Sequence, residues 1–335
     1  MNRWKSAVSL IVVGLLLGLA GLSLLGAGTS SRGQSPLVTV EIPLGASTAQ
    51  ISTILAEAGV IKSPWLLRAY TKLAGVDGTL KAGLYRLEPG LPLRELVTIL
   101  VSGSPDLVTV TIVEGQTLAE IAQVLENVGI VNGSEFLRLT YDPVYTLGPD
   151  MPEWLYGAKT LEGFLFPDTY RFSKGQKTKD VIRTMVNRFD QVTTELRKHP
   201  NVEKLGLVNW VTLASVVEKE GKLSQEFPLI AAVFYNRLEK GMFLQSCATV
   251  QYALGVRKPV LTEKDLQVES PFNTYKHGGL PPGPIGSPGL QALEAAANPV
   301  KSNYLYFVAK GDGSHAFSVT YKAHLQAKAR IEKGL

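Results

Sequence analysis

The pattern of apolar and polar positions changes character along this chain, and each change predicts an element. Residues Ala7 to Gly28 carry no charge and are mostly Leu, Val, Gly and Ala. An apolar helix of about 20 residues crosses a hydrocarbon core, so this stretch predicts a membrane span. After a Ser/Gly linker from Thr29 to Pro36, Val38, Val40 and Ile42 alternate with polar or smaller residues, as a half-buried strand does. A turn at Gly45 leads to Ile51 and Leu55 at helical spacing, and Gly59 stops that helix.

The same pattern then returns. Val38-Thr-Val-Glu-Ile-Pro-Leu-Gly45 matches Val108-Thr-Val-Thr-Ile-Val-Glu-Gly115. Ile51, Leu55, Gly59, Leu67 and Arg68 recur in register as Ile121, Leu125, Gly129, Leu137 and Arg138. A register kept over this length is an internal repeat. Ser47 with Gln50, and Thr117 with Glu120, have the spacing of capping boxes. With a second short strand near Gly83–Leu87, the first copy predicts a small α+β module over residues 37–105. Residues 107–145 repeat its opening, and residues 107–335 read as one larger α+β domain. In that domain the pattern predicts helices over Thr178–Lys198, Leu207–Glu220, Gln225–Lys240 and Ser287–Ala297. A strand-turn-strand is predicted at Tyr304–Ala309 and His315–Val319.

Composition narrows the picture. The 335 residues are 45% hydrophobic, enough for packed cores in two or three domains. The formal charge of +5 is spread without a polybasic block, which argues against nucleic acid as a partner. Arg3 and Lys5 precede the apolar stretch, so residues 1–6 are expected in the cytoplasm and everything beyond Gly28 outside it. The alternative is a cleaved signal peptide ending near Ala27 or Thr29. An apolar core longer than the roughly 7–15 residues usual for signal peptides favours an uncleaved single-pass anchor. Cys247 is the one cysteine, which excludes an internal disulfide. His199, His277, His315 and His324 do not stand at metal-ligand spacing, and no metal or cofactor is expected.

The richest chemistry lies in Leu213-Ala-Ser-Val-Val-Glu-Lys-Glu-Gly221. At helical spacing Glu218 shares a side with Val211 and Ala214, in the last turn before Gly221. Apolar surroundings and the negative end of the helix both disfavour a carboxylate, so both should raise its pKa toward that of a general acid. The alternative is a solvated Glu kept ionised by Lys219 and Lys222. Glu220 points about 200° around the helix from Glu218, so the two cannot share one face; Arg237 or Lys222 is its expected partner. Asn236, Gln245, Asn273 and Tyr275 carry the amide and phenol groups that bond sugar hydroxyls and acetamides. Tyr170 is a candidate for the cleft wall, and Glu162 and Asp168 are expected to accept backbone N–H bonds within their own loop. Ser215 lacks the Gly-x-Ser-x-Gly turn of a hydrolase nucleophile.

Four segments combine into a recognisable set: Leu161-Glu-Gly-Phe-Leu-Phe-Pro-Asp-Thr-Tyr-Arg-Phe172; the Glu218 helix with Ala231–Leu238 and Gly241–Gln245; Asn273-Thr-Tyr-Lys-His-Gly-Gly-Leu-Pro-Pro-Gly-Pro-Ile285; and Asn303–Val308 with Gly313–Phe317. Together they resemble the endolytic murein transglycosylase family, the YceG-like lytic transglycosylases, over nearly the whole chain. The repeated module likewise resembles LysM-like domains, which grip glycan strands containing N-acetylglucosamine; Trp65, Tyr70 and Tyr85 are its candidate stacking residues, and a spacer role is the alternative. In the family motif Ala-Ser-x-Val-Glu-Lys-Glu the first Glu is the catalytic acid, which falls here on Glu218. Two departures stand out. Cys247-Ala248 follows Leu-Gln-Ser where the family pattern has Asp-Pro or Asp-Ala, and Phe272 occupies an expected Tyr position.

The resemblance implies endolytic cleavage of the β-1,4 bond between N-acetylmuramic acid and N-acetylglucosamine in nascent peptidoglycan, leaving 1,6-anhydro ends and limiting strand length. It also implies an inner-membrane protein with its catalytic domain outside the cytoplasm, working with cell-wall synthases and the division or elongation machinery. A hydrolytic muramidase pairing Glu218 with Glu162 or Asp168, and a non-catalytic peptidoglycan-binding anchor, are the alternatives.

Overall fold

The computed structural model describes residues 37–43, 45–103 and 107–334. The predicted membrane span Ala7–Gly28 lies outside them; among the described residues no helix is long and apolar enough to cross a membrane. The chain divides after Leu107 into two compact units, each mixing helices with two-stranded sheets.

In the first unit, strand β1 (Val38–Ile42) pairs antiparallel with β2 (Gly83–Leu87), placing Val38 opposite Leu87 and Ile42 opposite Gly83. Helices α1 (Thr48–Glu57) and α2 (Pro64–Leu73) fill the connection, and α3 (Leu93–Ser102) follows. Alternation sends Val40 and Ile42 inward from β1, where they meet Ile51 and Leu55 of α1, Leu67 of α2, and Leu96 and Leu100 of α3. The capping box forms as predicted. Ser47 Oγ accepts from the Gln50 N–H, and the Gln50 side chain accepts from the Ser47 N–H at 2.8 Å. Of the candidate stacking residues, Trp65 is 64% exposed, whereas Tyr85 is only 1% exposed and donates to the Lys81 carbonyl. Tyr85 is therefore a core residue, since its pleat position faces the helices.

In the second unit, β3 (Leu107–Thr111) pairs with β4 (Thr169–Ser173). Helices α4 (Leu118–Asn127), α5 (Gly133–Thr140), α6 (Pro143–Leu147) and α7 (Thr178–Thr193) lie between and after these strands. Next come α8 (Pro200–Leu205), α9 (Leu207–Glu220), α10 (Phe227–Glu239), α11 (Cys247–Leu254) and α12 (Leu290–Ala297). The hairpin β5 (Tyr306–Ala309) and β6 (His315–Ser318), with Val308 opposite Ala316, precedes α13 (Tyr321–Glu332).

Helix α9 is the axis of this unit. Every residue from Trp210 to Val217 is buried, the mark of a helix packed on all sides. Helix α12 lies against it, and the Trp210 indole donates to the Leu293 carbonyl at 3.0 Å. Three predicted helices are shorter than their patterns. Thr178–Lys198 is α7 to Thr193 followed by a separate 3-10 turn at Leu196–Lys198. Gln225–Lys240 begins as a 3-10 turn at Ser224–Glu226 before α10. Ser287–Ala297 is helical only from Leu290, because the backbone ahead of it is bonded elsewhere: Ser287 exchanges hydrogen bonds with Gly115 and Gln116, and Gly289 donates to Glu218.

Candidate active site

Helix α9 delivers Glu218 in its last turn, partly buried, as the sequence predicts. Gly221 ends the helix for a different reason from the expected one. Its φ is −86°, open to any residue, but a Cβ there would lie 2.5 Å from the Phe227 ring. Close approach, not left-handed backbone, requires the glycine.

Two loops close over Glu218. One is the turn after β3, Glu114-Gly115-Gln116; the other is Gly286-Ser287-Pro288-Gly289 before α12. Gly115 donates to the Ser287 carbonyl at 2.7 Å, and Ser287 donates back to the Gln116 carbonyl at 2.8 Å. Gly289 donates to Glu218 Oε2 at 2.9 Å. Glu218 Oε1 has no hydrogen-bond partner among the described residues, which leaves that oxygen to carry a proton. Burial above all pushes the Glu218 carboxyl up, the Gly289 N–H and Lys219 oppose the rise and the Glu114 charge adds to it, leaving the carboxyl at about 7. Burial and a second carboxyl thus supply the expected lift.

Lys219 turns away from solvent. Its aliphatic stem packs beside Gly115 and Gly286, where a Cβ would sit 3.7 and 3.1 Å from its carbons. Burial lowers its pKa, with Arg257 adding to the effect, while Glu120, Glu162 and Glu218 act the other way. Glu120 closes the second capping box and pairs with Arg257 at 2.9 Å.

Glu162 departs from expectation. It is 4% exposed and accepts from outside its own loop, from the Leu118 N–H at the start of α4 and from the Tyr252 hydroxyl at 3.1 Å. Burial raises its carboxyl to about 7. Asp168 does accept locally, from the Thr169 N–H at 2.7 Å, and also pairs with Arg188.

Glu220 faces the other way from Glu218; its charge acts on Arg237, as expected, but its hydrogen-bond partners are neither Arg237 nor Lys222. It accepts from Ser246 Oγ at 2.5 Å and from the Ala248 N–H at 3.2 Å, so its charge caps the start of α11. Arg237 is instead spent on the carbonyls of Leu244 and Leu305, both at 2.7 Å. Between these anchors Gln245 is exposed, with φ +49° and its N–H on the Thr274 carbonyl. A left-handed Gln is costly and persists only where the surroundings impose it, a common property of functional loops.

Tyr275 remains partly exposed, and its hydroxyl lies 3.2 Å from Cys247 Sγ. Three other candidates are spent on structure. Asn273 is fully buried and holds the carbonyls of Leu266 and Val268 and the Tyr275 N–H. Asn236 donates to the carbonyls of Ser302 and Tyr304. Tyr170 is buried, stacks on Phe172 and donates to the Phe166 carbonyl at 2.5 Å. An amide or phenol in a motif suits a sugar, but it suits an orphaned backbone carbonyl equally well.

Sequence reasoning missed Glu114, Gly289 and the inward turn of Lys219. A signal for Glu114 was present in the repeat: at the same place the first copy has Leu44.

The family model described as YceG-like matches residues 40–330, so it includes Glu218, Glu114, the two loops around them and the Gln245 loop. The chain belongs to the YceG-like family. A relative of this YceG-like chain, the endolytic murein transglycosylase of Bacillus subtilis (strain 168), is 34% identical over 304 residues, covering 88% of this chain and 84% of that protein. The endolytic murein transglycosylase of Streptococcus pneumoniae serotype 2 is 36% identical over 301 residues, 81% of this chain and 54% of that longer protein. A crystal structure of a yceG-like protein from Listeria monocytogenes superposes with a TM-score of 0.60 at 36% identity, covering 88% of this chain and 99% of that one.

Proposed function

We propose that this chain is an endolytic peptidoglycan lytic transglycosylase and that Glu218 is its acid. The observation that carries the assignment of the acid is one carboxyl, pushed up to about 7, with one oxygen on the Gly289 N–H and the other unengaged. The relatives named endolytic murein transglycosylase support the reaction.

In this reading Glu218 gives its proton to the glycosidic oxygen as the bond from C1 of N-acetylmuramic acid to that oxygen breaks. The N-acetylglucosamine side leaves with a free 4-hydroxyl. Positive charge builds on the muramoyl ring, as at any glycosyl transition state. The 6-hydroxyl oxygen of the same sugar then bonds to C1, and its proton returns to the now ionised Glu218. Acid and base are one residue, and no water enters. A pKa near the working pH suits a group that must both give and take a proton.

Hydrolysis with a second carboxyl at Glu162 or Asp168 fits poorly. Glu162 is buried on Leu118 and Tyr252, and Asp168 is paired with Arg188. Gln245 and Tyr275 are the proposed sugar contacts, with Glu220 holding the Gln245 loop in place. Ala7–Gly28 is proposed as the inner-membrane anchor, which sets the catalytic unit outside the cytoplasm beside nascent strands and their synthases. The strand-helix-helix-strand order of the first unit, with Trp65 exposed, supports a LysM-like, glycan-gripping role for it.

The test is mass spectrometry of purified peptidoglycan digested by the full chain and by Glu218→Gln. Anhydromuramoyl fragments from the wild type alone are expected. Products one water heavier would establish hydrolysis, and a Glu218→Gln chain that retains strand-length control in cells would favour the anchor.

A further inference from the structure

The two loops that close over Glu218 bring a second carboxyl with them. Gly289 is the pivot. Its N–H bonds Glu218 Oε2, and the place where a side chain would project from it is filled by Glu114: a Cβ there would lie 2.0 Å from Glu114 Oε1. The Gly289 backbone, at φ −74°, is open to any residue. The space beside Gly289 is therefore taken by the Glu114 carboxyl, which a side chain at that position would displace. Next in the chain, Gly115 sits with φ +74° against the Glu218 side chain, where a Cβ would be 3.6 Å from Cγ. Gly286 lets the two backbones meet, since its Cβ would fall 2.6 Å from the Gly115 carbonyl. The Gly115 and Gly286 backbones and two backbone hydrogen bonds thus set where the Glu114 backbone stands, and Gly289 leaves room for its carboxyl. Glu114 is exposed and has no ion pair or hydrogen bond within the chain among the described residues.

We propose that Glu114 is a positioning residue for the acid: the clamp between the β3 turn and the loop before α12 exists to hold its negative charge across Gly289 from Glu218. The role rests on the reading of Glu218 as the acid. A fixed negative charge disfavours a second one beside it, so Glu114 keeps the proton on Glu218 until the glycosidic oxygen takes it. The opposing charge is Lys219, on the same helix as Glu218. Glu120, Glu162 and Arg257 act on Lys219 beside it.

The experiment is the pH profile of kcat/KM for release of anhydromuramoyl products by the full chain. Wild type is compared with Glu114→Gln, Glu114→Asp, Gly289→Ala and the double variant Glu114→Gln/Gly289→Ala. Glu114→Gln is expected to move the alkaline limb down by about one pH unit, which is a tenfold loss above the limb and none well below it. Glu114→Asp, with its charge kept, retains the wild-type limb. Gly289→Ala keeps the N–H that bonds Glu218 but evicts the Glu114 carboxyl, so it reproduces the Glu114→Gln shift. The double variant is no worse than either single one, because both remove the same interaction.

A Glu114→Gln profile superimposable on wild type overturns the proposal, whatever its absolute rate. So does a double variant whose shift is the sum of the two. Should Gly289→Ala fail to fold, the Gln and Asp pair decides alone. Glu218→Gln runs beside them: if it keeps wild-type activity, the reading of the acid falls. If it is inactive and Glu114→Gln is unshifted, only the role of Glu114 falls.

Discussion

The two copies of the repeat follow the same local rules and end in different surroundings. Strand β1 and strand β3 each lead through a glycine turn, φ +78° at Gly45 and +74° at Gly115, into a helix opened by a capping box. Ile51 and Leu55 in one copy, Ile121 and Leu125 in the other, are buried at matching positions. The differences lie in what reaches each turn. A Cβ on Gly45 meets nothing within 4 Å, whereas one on Gly115 meets Glu218 and Lys219. Gln50 closes its box; Glu120 closes its own and also pairs with Arg257. The start of α4 further receives a buried carboxyl from Glu162. One local design thus serves as a packing unit in the first copy and as one wall of a charged site in the second.

The comparison breaks most sharply at Glu218. Glu218→Gln should lower lytic activity by roughly 10²–10⁴-fold, as loss of a general acid does, and leave unfolding of the first unit unchanged; product mass spectrometry and thermal melts check both. The activity itself should fall as pH rises through about 7, because protonated Glu218 is the proposed working form.

Glu162 offers the next largest effect. Its folded-state pKa, about 7, is raised from 4.5, so the stability tied to this group is fully present below about 4.5 and lost as pH rises through 7. The loss is about 3 kcal/mol at most. Glu162→Gln keeps acceptors for Leu118 and Tyr252 and should flatten the dependence of urea unfolding on pH between 5 and 8. An unchanged slope would show that the carboxyl is solvated.

Gly45→Ala and Gly115→Ala compare the turns directly. Each forces a left-handed alanine, at roughly 1–2 kcal/mol. Only Gly115→Ala should also lower activity, on the order of tenfold to a hundredfold, because relieving that strain moves the clamp around Glu218. Equal activity in the two variants would separate the turn from the site.

The smallest difference is at the caps. Ser47→Ala should weaken α1 by about 1 kcal/mol. Thr117→Ala should weaken α4 by less, since Glu162 still holds the Leu118 N–H. Amide hydrogen exchange of the two helices reads each separately.

Much of this was legible in sequence because it depends on neighbours along the chain. Alternation in β1, the i, i+4 pairs of α1 and α4, both capping boxes and the span of α9 all rest on short-range rules. So does the placing of Glu218 beside valines. Helix lengths were less legible: α12 begins three residues late because its leading amides are bonded to the β3 turn and to Glu218. Asn236 and Asn273 have the residue type of a sugar contact and Tyr170 that of a cleft wall, but whether an amide or phenol faces a cleft or a backbone carbonyl depends on residues far away in the chain.

The sequence alone determined the repeat, the family and the helix that carries Glu218, since each follows from residue order and spacing. Tertiary structure decided which groups surround that carboxyl. Glu114 and Gly289 reach Glu218 from two separate segments; burial and the Glu114 charge raise its proton affinity, and the Gly289 N–H and Lys219 oppose them. Desolvation and Coulomb interactions act through space, so no pattern read along a single segment encodes them.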